Sequence, residues 1–166
     1  MKTLLLLRHA KSSWKEPDMR DFDRPLNERG RKAAPLIGAY LREQKLTPDL
    51  VLSSPAERAR QTAALVIESA ELNAELRYDE RIYEASVEQL LEVVAQTGDG
   101  AGTLLLVGHN PGMEELIQRL TGASERMRTA TLARIDLDTD AWSKVRAAEG
   151  AGRLKFAISP KDLAED

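Results

Sequence analysis

With 166 residues, 42% of them apolar and 31% charged, the chain is long enough to bury roughly 70% of its unfolded surface in one domain without staples. A net charge of −3 excludes an electrostatic footprint for nucleic acid or an anionic membrane, so any anion site must be a local concentration of positive charge. The lack of cysteine excludes disulfides, thiolate zinc sites and cysteine nucleophiles.

Leu4–Leu7 is the first apolar run, too short for a signal-peptide core and without a cleavage pattern. No stretch reaches the ~20 apolar residues of a membrane span. The expectation is a cytoplasmic protein with one domain over residues 1–166. Apolar runs alternate with helical patterns, which predicts a three-layer, doubly wound α/β fold with a mostly parallel central sheet and helices on both faces.

In chain order, Thr3–Leu7 is continuously apolar, as a strand covered on both faces requires. A charged loop follows to about Pro25. A helix is expected from Asn27 toward Gln44, and Pro35 within it predicts a kink or a later start. Asp49–Ser53 is the second strand. Ser54-Pro55-Ala56-Glu57 then has the pattern of an N-cap, a first-turn proline and a capping-box glutamate. That helix presents Ala59, Ala63, Val66, Ile67 and Ala70 on one face.

A short strand is expected at Leu76–Tyr78. A second capping box at Ser86–Gln89 opens a helix with Val87, Leu90, Leu91 and Val94 as its buried stripe. Thr103–Val107 is another buried strand, and Asn110-Pro111 is expected to cap the helix that follows. Met113, Leu116, Ile117 and Leu120 turn inward there, and Gly122 stops it. Ala133, Ile135 and Leu137 alternate with polar residues, as do Leu154, Phe156 and Ile158. Both segments are expected to be half-exposed antiparallel strands near a sheet edge, with a frayed tail after Pro160.

The chain has two histidines, and each sits just beyond a buried strand: Leu7-Arg8-His9 and Val107-Gly108-His109. In open α/β sheets, ligands bind at the carboxyl ends of strands where the strand order reverses. Central, parallel strands would bring both imidazoles to the same edge. Arg8 adds a guanidinium fork suited to phosphate or carboxylate. Arg58 adds another in the first turn of a helix, where the free N–H groups and the dipole favour an anion and disfavour a cation. Arg60 is the competitor, turned to a different side. Two imidazoles, two guanidiniums and a helix start make a pocket for a tetrahedral dianion. No acidic cluster stands at ligand spacing, so no metal is expected, and no cofactor fingerprint is present.

With these residues identified, the chain resembles the histidine phosphatase (phosphoglycerate-mutase-like) superfamily. Leu7-Arg8-His9-Ala10 is similar to its Arg-His-Gly/Ala signature, and Ser53 to Ala63 to its Ser-Ser-Pro-x-x-Arg-Ala-x-x-Thr-Ala helix start. Val107-Gly108-His109 is similar to its later Gly-His motif, and Leu26–Gly30 to its Leu-[TN]-x-x-Gly start. Within it, Arg8–Trp14, Asp21–Leu26 and the small size resemble SixA-type phosphohistidine phosphatases. The resemblance implies His9 as nucleophile, Arg8 and Arg58 as phosphoryl clamps, and His109 as stabiliser of the charged transition state. It implies a glutamate as general acid, for which Glu84 in Ile82-Tyr83-Glu84 is the best match and Glu80 is nearby.

The expected activity is metal-independent dephosphorylation of a phosphohistidine-bearing protein through a phosphohistidine intermediate, with a protonated His109 supplying charge. Alternatives are a phosphatase or mutase for small phosphate esters or sugar phosphates, and a non-catalytic domain that binds a phosphorylated partner. Little room exists between Arg58 and Thr103 for a lid. Lys11, Trp14, Lys15 and Arg20 of the first loop are candidates for contact with a partner protein.

Overall fold

Strand β1 (Lys2–Arg8) and strand β4 (Thr103–Gly108) lie side by side, parallel and in register from Thr3 opposite Thr103 to Arg8 opposite Gly108. They belong to a six-stranded sheet in a computed structural model that describes residues 1–163. The other strands are β2 (Leu50–Ser53), β3 (Glu75–Tyr78), β5 (Leu132–Leu137) and β6 (Arg153–Ile158), in the order β3-β2-β4-β1-β5-β6. The first four strands in that order are parallel, and β5 and β6 are antiparallel additions.

Alternate leucines of the continuous strands serve opposite faces. Leu5, Leu7, Leu105 and Val107 pack under helices α1 (Glu28–Glu43) and α2 (Glu57–Ala70). Leu4, Leu6, Leu104 and Leu106 pack under α3 (Val87–Ala95) and α4 (Gly112–Thr121). This two-sided burial is why the strands are apolar throughout. A final helical turn, α5 (Pro160–Leu163), stands where a frayed tail was expected, and the residues beyond it lie outside those described.

Helix α1 begins at Glu28 despite Pro35, because the Asn27 side chain accepts a bond from Gly30 N at 2.8 Å and secures the first turn. The later start is therefore not realised. The Ser86 capping box forms as expected, and Gly122 ends α4 in the left-handed region at φ 77°.

Two other helix starts differ from expectation. Helix α2 is preceded by Ala56 without a side-chain cap, and the Ser54 hydroxyl accepts from Ala56 N at 3.2 Å and meets His109 Nε2 at 2.7 Å. Helix α4 starts at Gly112, and the Asn110 amide is spent on Glu114 (3.0 Å) and the Met127 carbonyl (2.8 Å). In both cases a residue distant in the chain, His109 or Met127, takes a share of the side chain expected to cap the helix.

Strand β5 also corrects the alternation argument. It is antiparallel, as expected, but lies between β1 and β6 and is buried along most of its length. Its polar positions are compatible with burial because Arg134 and Asp136 pair with each other at 2.9 Å. Half-exposure holds for β6, the edge strand.

Candidate active site

The register of β1 against β4 places His9 and His109 one step past paired strand ends. Their ring centroids are 5.1 Å apart, tilted by 53°. His9 N donates to the Gly108 carbonyl at 3.0 Å, which ties the first histidine to the second strand. Helix α2, following the neighbouring β2, delivers Arg58 from its first turn. Its guanidinium is buried, and its Nε points at His9 Nε2 across 3.4 Å. Thr62, one turn on, accepts from Ala10 N (2.9 Å) and donates to the Arg58 carbonyl (2.7 Å), so the helix start and the histidine loop move as one unit.

The tautomer of His9 follows from its partners. Nδ1 lies 2.7 Å from the Ala10 carbonyl, an acceptor only, so Nδ1 carries the hydrogen. Nε2 is left with its lone pair, directed toward the Arg58 Nε–H. Burial lowers the His9 pKa to about 4, and Arg58, Arg8 and Arg24 push the same way against the Ala10 bond. The imidazole is therefore neutral near pH 7, with an unprotonated Nε2 facing the cavity.

His109 is also pulled down, to about 3, by burial first and then by His9 and Arg58. The free site thus holds it neutral, in contrast to the protonated form expected from sequence. Its Nε2 is 2.7 Å from Ser54 Oγ, and its Nδ1 is buried without a partner. Arg8 donates through Nη1 to the Met127 carbonyl at 3.0 Å, while its buried Nε–H has no partner. An orphaned buried donor costs about 1–3 kcal/mol unless something occupies it. Both nitrogens belong to residues that line the same cavity as His9.

These groups line an open cavity of about 570 Å³, together with Lys11, Trp14 and Lys15 of the first loop. Arg20 lies outside it, exposed and paired with Asp23. Arg60 is likewise elsewhere, over the Tyr78 ring at 4.1 Å. Glu84 and Glu80 are exposed and do not line the cavity.

The carboxylate that does line it is Asp21, to which sequence reasoning gave no role. It lies in a 3-10 turn (Asp21–Asp23) and holds Arg58 twice: through its backbone carbonyl (2.8 Å) and its carboxylate (3.0 Å). Arg24, buried and stacked 3.5 Å from the Trp14 ring, takes the other carboxylate oxygen at 3.1 Å. The Tyr83 hydroxyl donates to Asp21 at 2.7 Å, and its ring stands edge-on to His109 at 5.5 Å. Burial raises the Asp21 pKa, but the bonds from Tyr83 and Arg58 outweigh it and leave the carboxyl at about 2. Burial, with Asp21 and then Glu84 beside the hydroxyl, holds the Tyr83 proton well above the usual phenol range. Neither group is a ready proton donor at neutral pH. Among the described residues, no three histidine, cysteine or carboxylate side chains gather as a metal-ligand set, and no helix is long and apolar enough to cross a membrane.

Comparison with known proteins agrees with this arrangement. Residues 4–92 match the family model of the histidine phosphatase superfamily (branch 1). An uncharacterized chloroplastic protein of Arabidopsis thaliana is 30% identical over 96% of this chain and 78% of its own length. An uncharacterized protein of Mycobacterium tuberculosis is 44% identical over 63% of each, so the chain matches less than two thirds of that relative. Among solved structures, SixA of Agrobacterium tumefaciens, by its description a candidate phosphohistidine phosphatase, superposes with a TM-score of 0.82. It is 31% identical, over 96% of this chain and 98% of that one. The paired strand-end histidines, the buried Arg58 and these matches together place the chain in the histidine phosphatase superfamily.

Proposed function

We infer that this protein removes the phosphoryl group from phosphohistidine on a partner protein, by way of a phosphohistidine on its own His9. The observation that carries this reading is the His9 tautomer: Nδ1–H is committed to the Ala10 carbonyl, and Nε2 is left unprotonated with the Arg58 Nε–H 3.4 Å away. In the first step, Nε2 forms a bond to phosphorus as the donor's P–N bond breaks. The electron pair leaves on the donor imidazole, which takes a proton from solvent. In the second, water forms the new P–O bond as the P–Nε2 bond breaks, and inorganic phosphate departs with His9 restored. Both steps pass through a loose, in-line transition state in which positioning and charge do most of the catalysis. Arg8 Nε and Arg58 hold the equatorial oxygens. His109, neutral in the free site, gains a proton when the dianion arrives beside it.

The choice of a P–N substrate rests on proton supply. Asp21 is held ionised, Tyr83 is held neutral with its proton committed, and Glu84 is exposed beside Tyr83 rather than in the cavity wall. An alkoxide leaving group needs a general acid worth about 10²–10⁴-fold in rate, whereas an imidazole leaves with less help. A phosphohistidine protein should therefore turn over about 10²–10⁴ times faster than alkyl phosphates at equal concentration. A panel in which alkyl phosphates match or exceed it favours the small-ester reading and defeats this one. Substitution His9→Ala should remove both turnover and acid-labile labelling of the chain in rapid-quench experiments. Persistent labelling would place the nucleophile elsewhere.

A further inference from the structure

Beside the phosphoryl cavity lies a second cleft of about 340 Å³ that this chemistry does not use. It is lined by Lys11, Arg29, Arg128 and Lys161 with Ala33, Thr129, Ser159 and Pro160. Lys11 and Thr129 line both cavities, so the two are continuous. All four cations are exposed, and none belongs to an ion pair among the described residues. Among the described residues, Asp162 is a carboxylate close enough to feel Arg128 and Lys161, and it is occupied by Ser159 through N (2.9 Å) and Oγ (3.2 Å). Four gathered cations in a chain of net charge −3 concentrate positive potential where the overall field is negative.

The cleft is attached to the catalytic strand rather than to a loose surface. Ala130 N donates to the carbonyls of both Arg8 and His9 at 3.0 Å, and Thr131 N to Arg128 at 3.0 Å, which fixes the turn bearing Arg128. On the other wall, Asn27 N donates to the Lys11 carbonyl at 2.9 Å, and that carbonyl sits where a Cβ on Gly30 would be. Lys11 is thereby held against the first turn of α1, next to Arg29. A cation in that turn gains nothing from the helix dipole, which favours the neighbouring Glu28 instead, so Arg29 is not held there by the helix itself.

We propose that this cleft is a second anion subsite, which takes acidic side chains of the partner protein flanking its phosphohistidine. The proposal rests on the reading of the substrate as a phosphorylated protein. The open cavity and the exposed Trp14 on its rim suit a protein surface, and the cleft's continuity with the cavity lets one partner engage both.

The test pairs the double variant Arg29→Glu/Arg128→Glu with two P–N substrates: a phosphohistidine protein with an acidic surface around its phosphosite, and phosphoimidazole. Both residues are exposed and lie outside the phosphoryl cavity, and a glutamate in the first turn of α1 favours the helix. The expected result is a KM for the phosphoprotein raised tenfold or more, with phosphoimidazole turnover unchanged. Arg29→Lys/Arg128→Lys should restore the KM. An unchanged KM overturns the subsite, as does a parallel loss on phosphoimidazole or failure of the lysine pair to rescue. A raised KM for a small bisphosphate, with the phosphoprotein unaffected, also overturns the assignment to a protein.

If the wild-type protein turns over neither P–N substrate, the functional reading fails. The subsite is then judged by binding of a fluorescent, unphosphorylated Glu/Asp-rich peptide at low salt. Weaker binding to the charge-reversed variant sustains it, and equal or absent binding ends it.

Discussion

Asp21 determines how Arg58 can act. A free guanidinium at a helix start would sample many orientations, but two bonds from one residue leave Nε aimed at His9 and engage one hydrogen of each Nη group, with the other free for an anion. Replacing Asp21 by Asn keeps size and the backbone bond while removing the charge. A charge-assisted hydrogen bond contributes about 1.5–3 kcal/mol against about 1 for a neutral one, so kcat/KM for phosphoimidazole should fall by about tenfold. Steady-state kinetics with Asp21→Asn checks this, and wild-type activity would show that Arg58 is placed by the backbone carbonyl alone. The sequence displayed His9, His109, Arg8 and Arg58 through their spacing from strand and helix ends. Asp21, Tyr83 and Arg24 were not legible in that way, because each reaches the site from a loop whose path depends on tertiary contacts.

At the scale of elements, the site depends on how closely α1 and α2 approach. Gly38 of α1 sits against Ser69 and the Val66 carbonyl of α2, and an added Cβ would overlap both. Backbone on one side leaves little room to adjust, so Gly38→Val should destabilise the fold by about 1–3 kcal/mol. Because α2 carries Arg58, the active fraction should fall in step with the melting temperature, as thermal denaturation and activity on the same samples would record. Periodicity identified both helices, and composition alone made them compatible with either face. The Ser54 and Asn110 caps failed for a related reason. A local pattern states what a side chain can bond, and His109 and Met127 offered partners from afar.

For the molecule as a whole, burial of two neutral imidazoles links stability to pH. Both pKa values lie below the unfolded value of about 6.5, at about 4 for His9 and about 3 for His109. Between pH 6.5 and 4 the unfolded chain takes up protons that the fold refuses, so stability is full above 6.5 and falls as the pH drops. Each imidazole contributes on the order of 1–2 kcal/mol of loss between pH 6.5 and 5. Urea titrations across that range should show the decline, and His9→Asn/His109→Asn should flatten it. An equally steep decline in the double variant would assign the effect to other groups.

By itself, the sequence determined that this is an α/β chain with continuously buried strands, and that two histidines and two arginines stand at the ends of elements where anions bind. Those properties are local, since hydrophobic run length, helical period and position relative to a strand end are readable one segment at a time. The tertiary structure decided the rest. It set the pairing of β1 with β4 that brings the imidazoles to 5.1 Å, and the neutral state of His109 imposed by burial. It buried β5 between β1 and β6, and it left the carboxylate of the site committed to holding an arginine. Each of these follows from desolvation or from contacts between residues distant in the chain, which no single segment records.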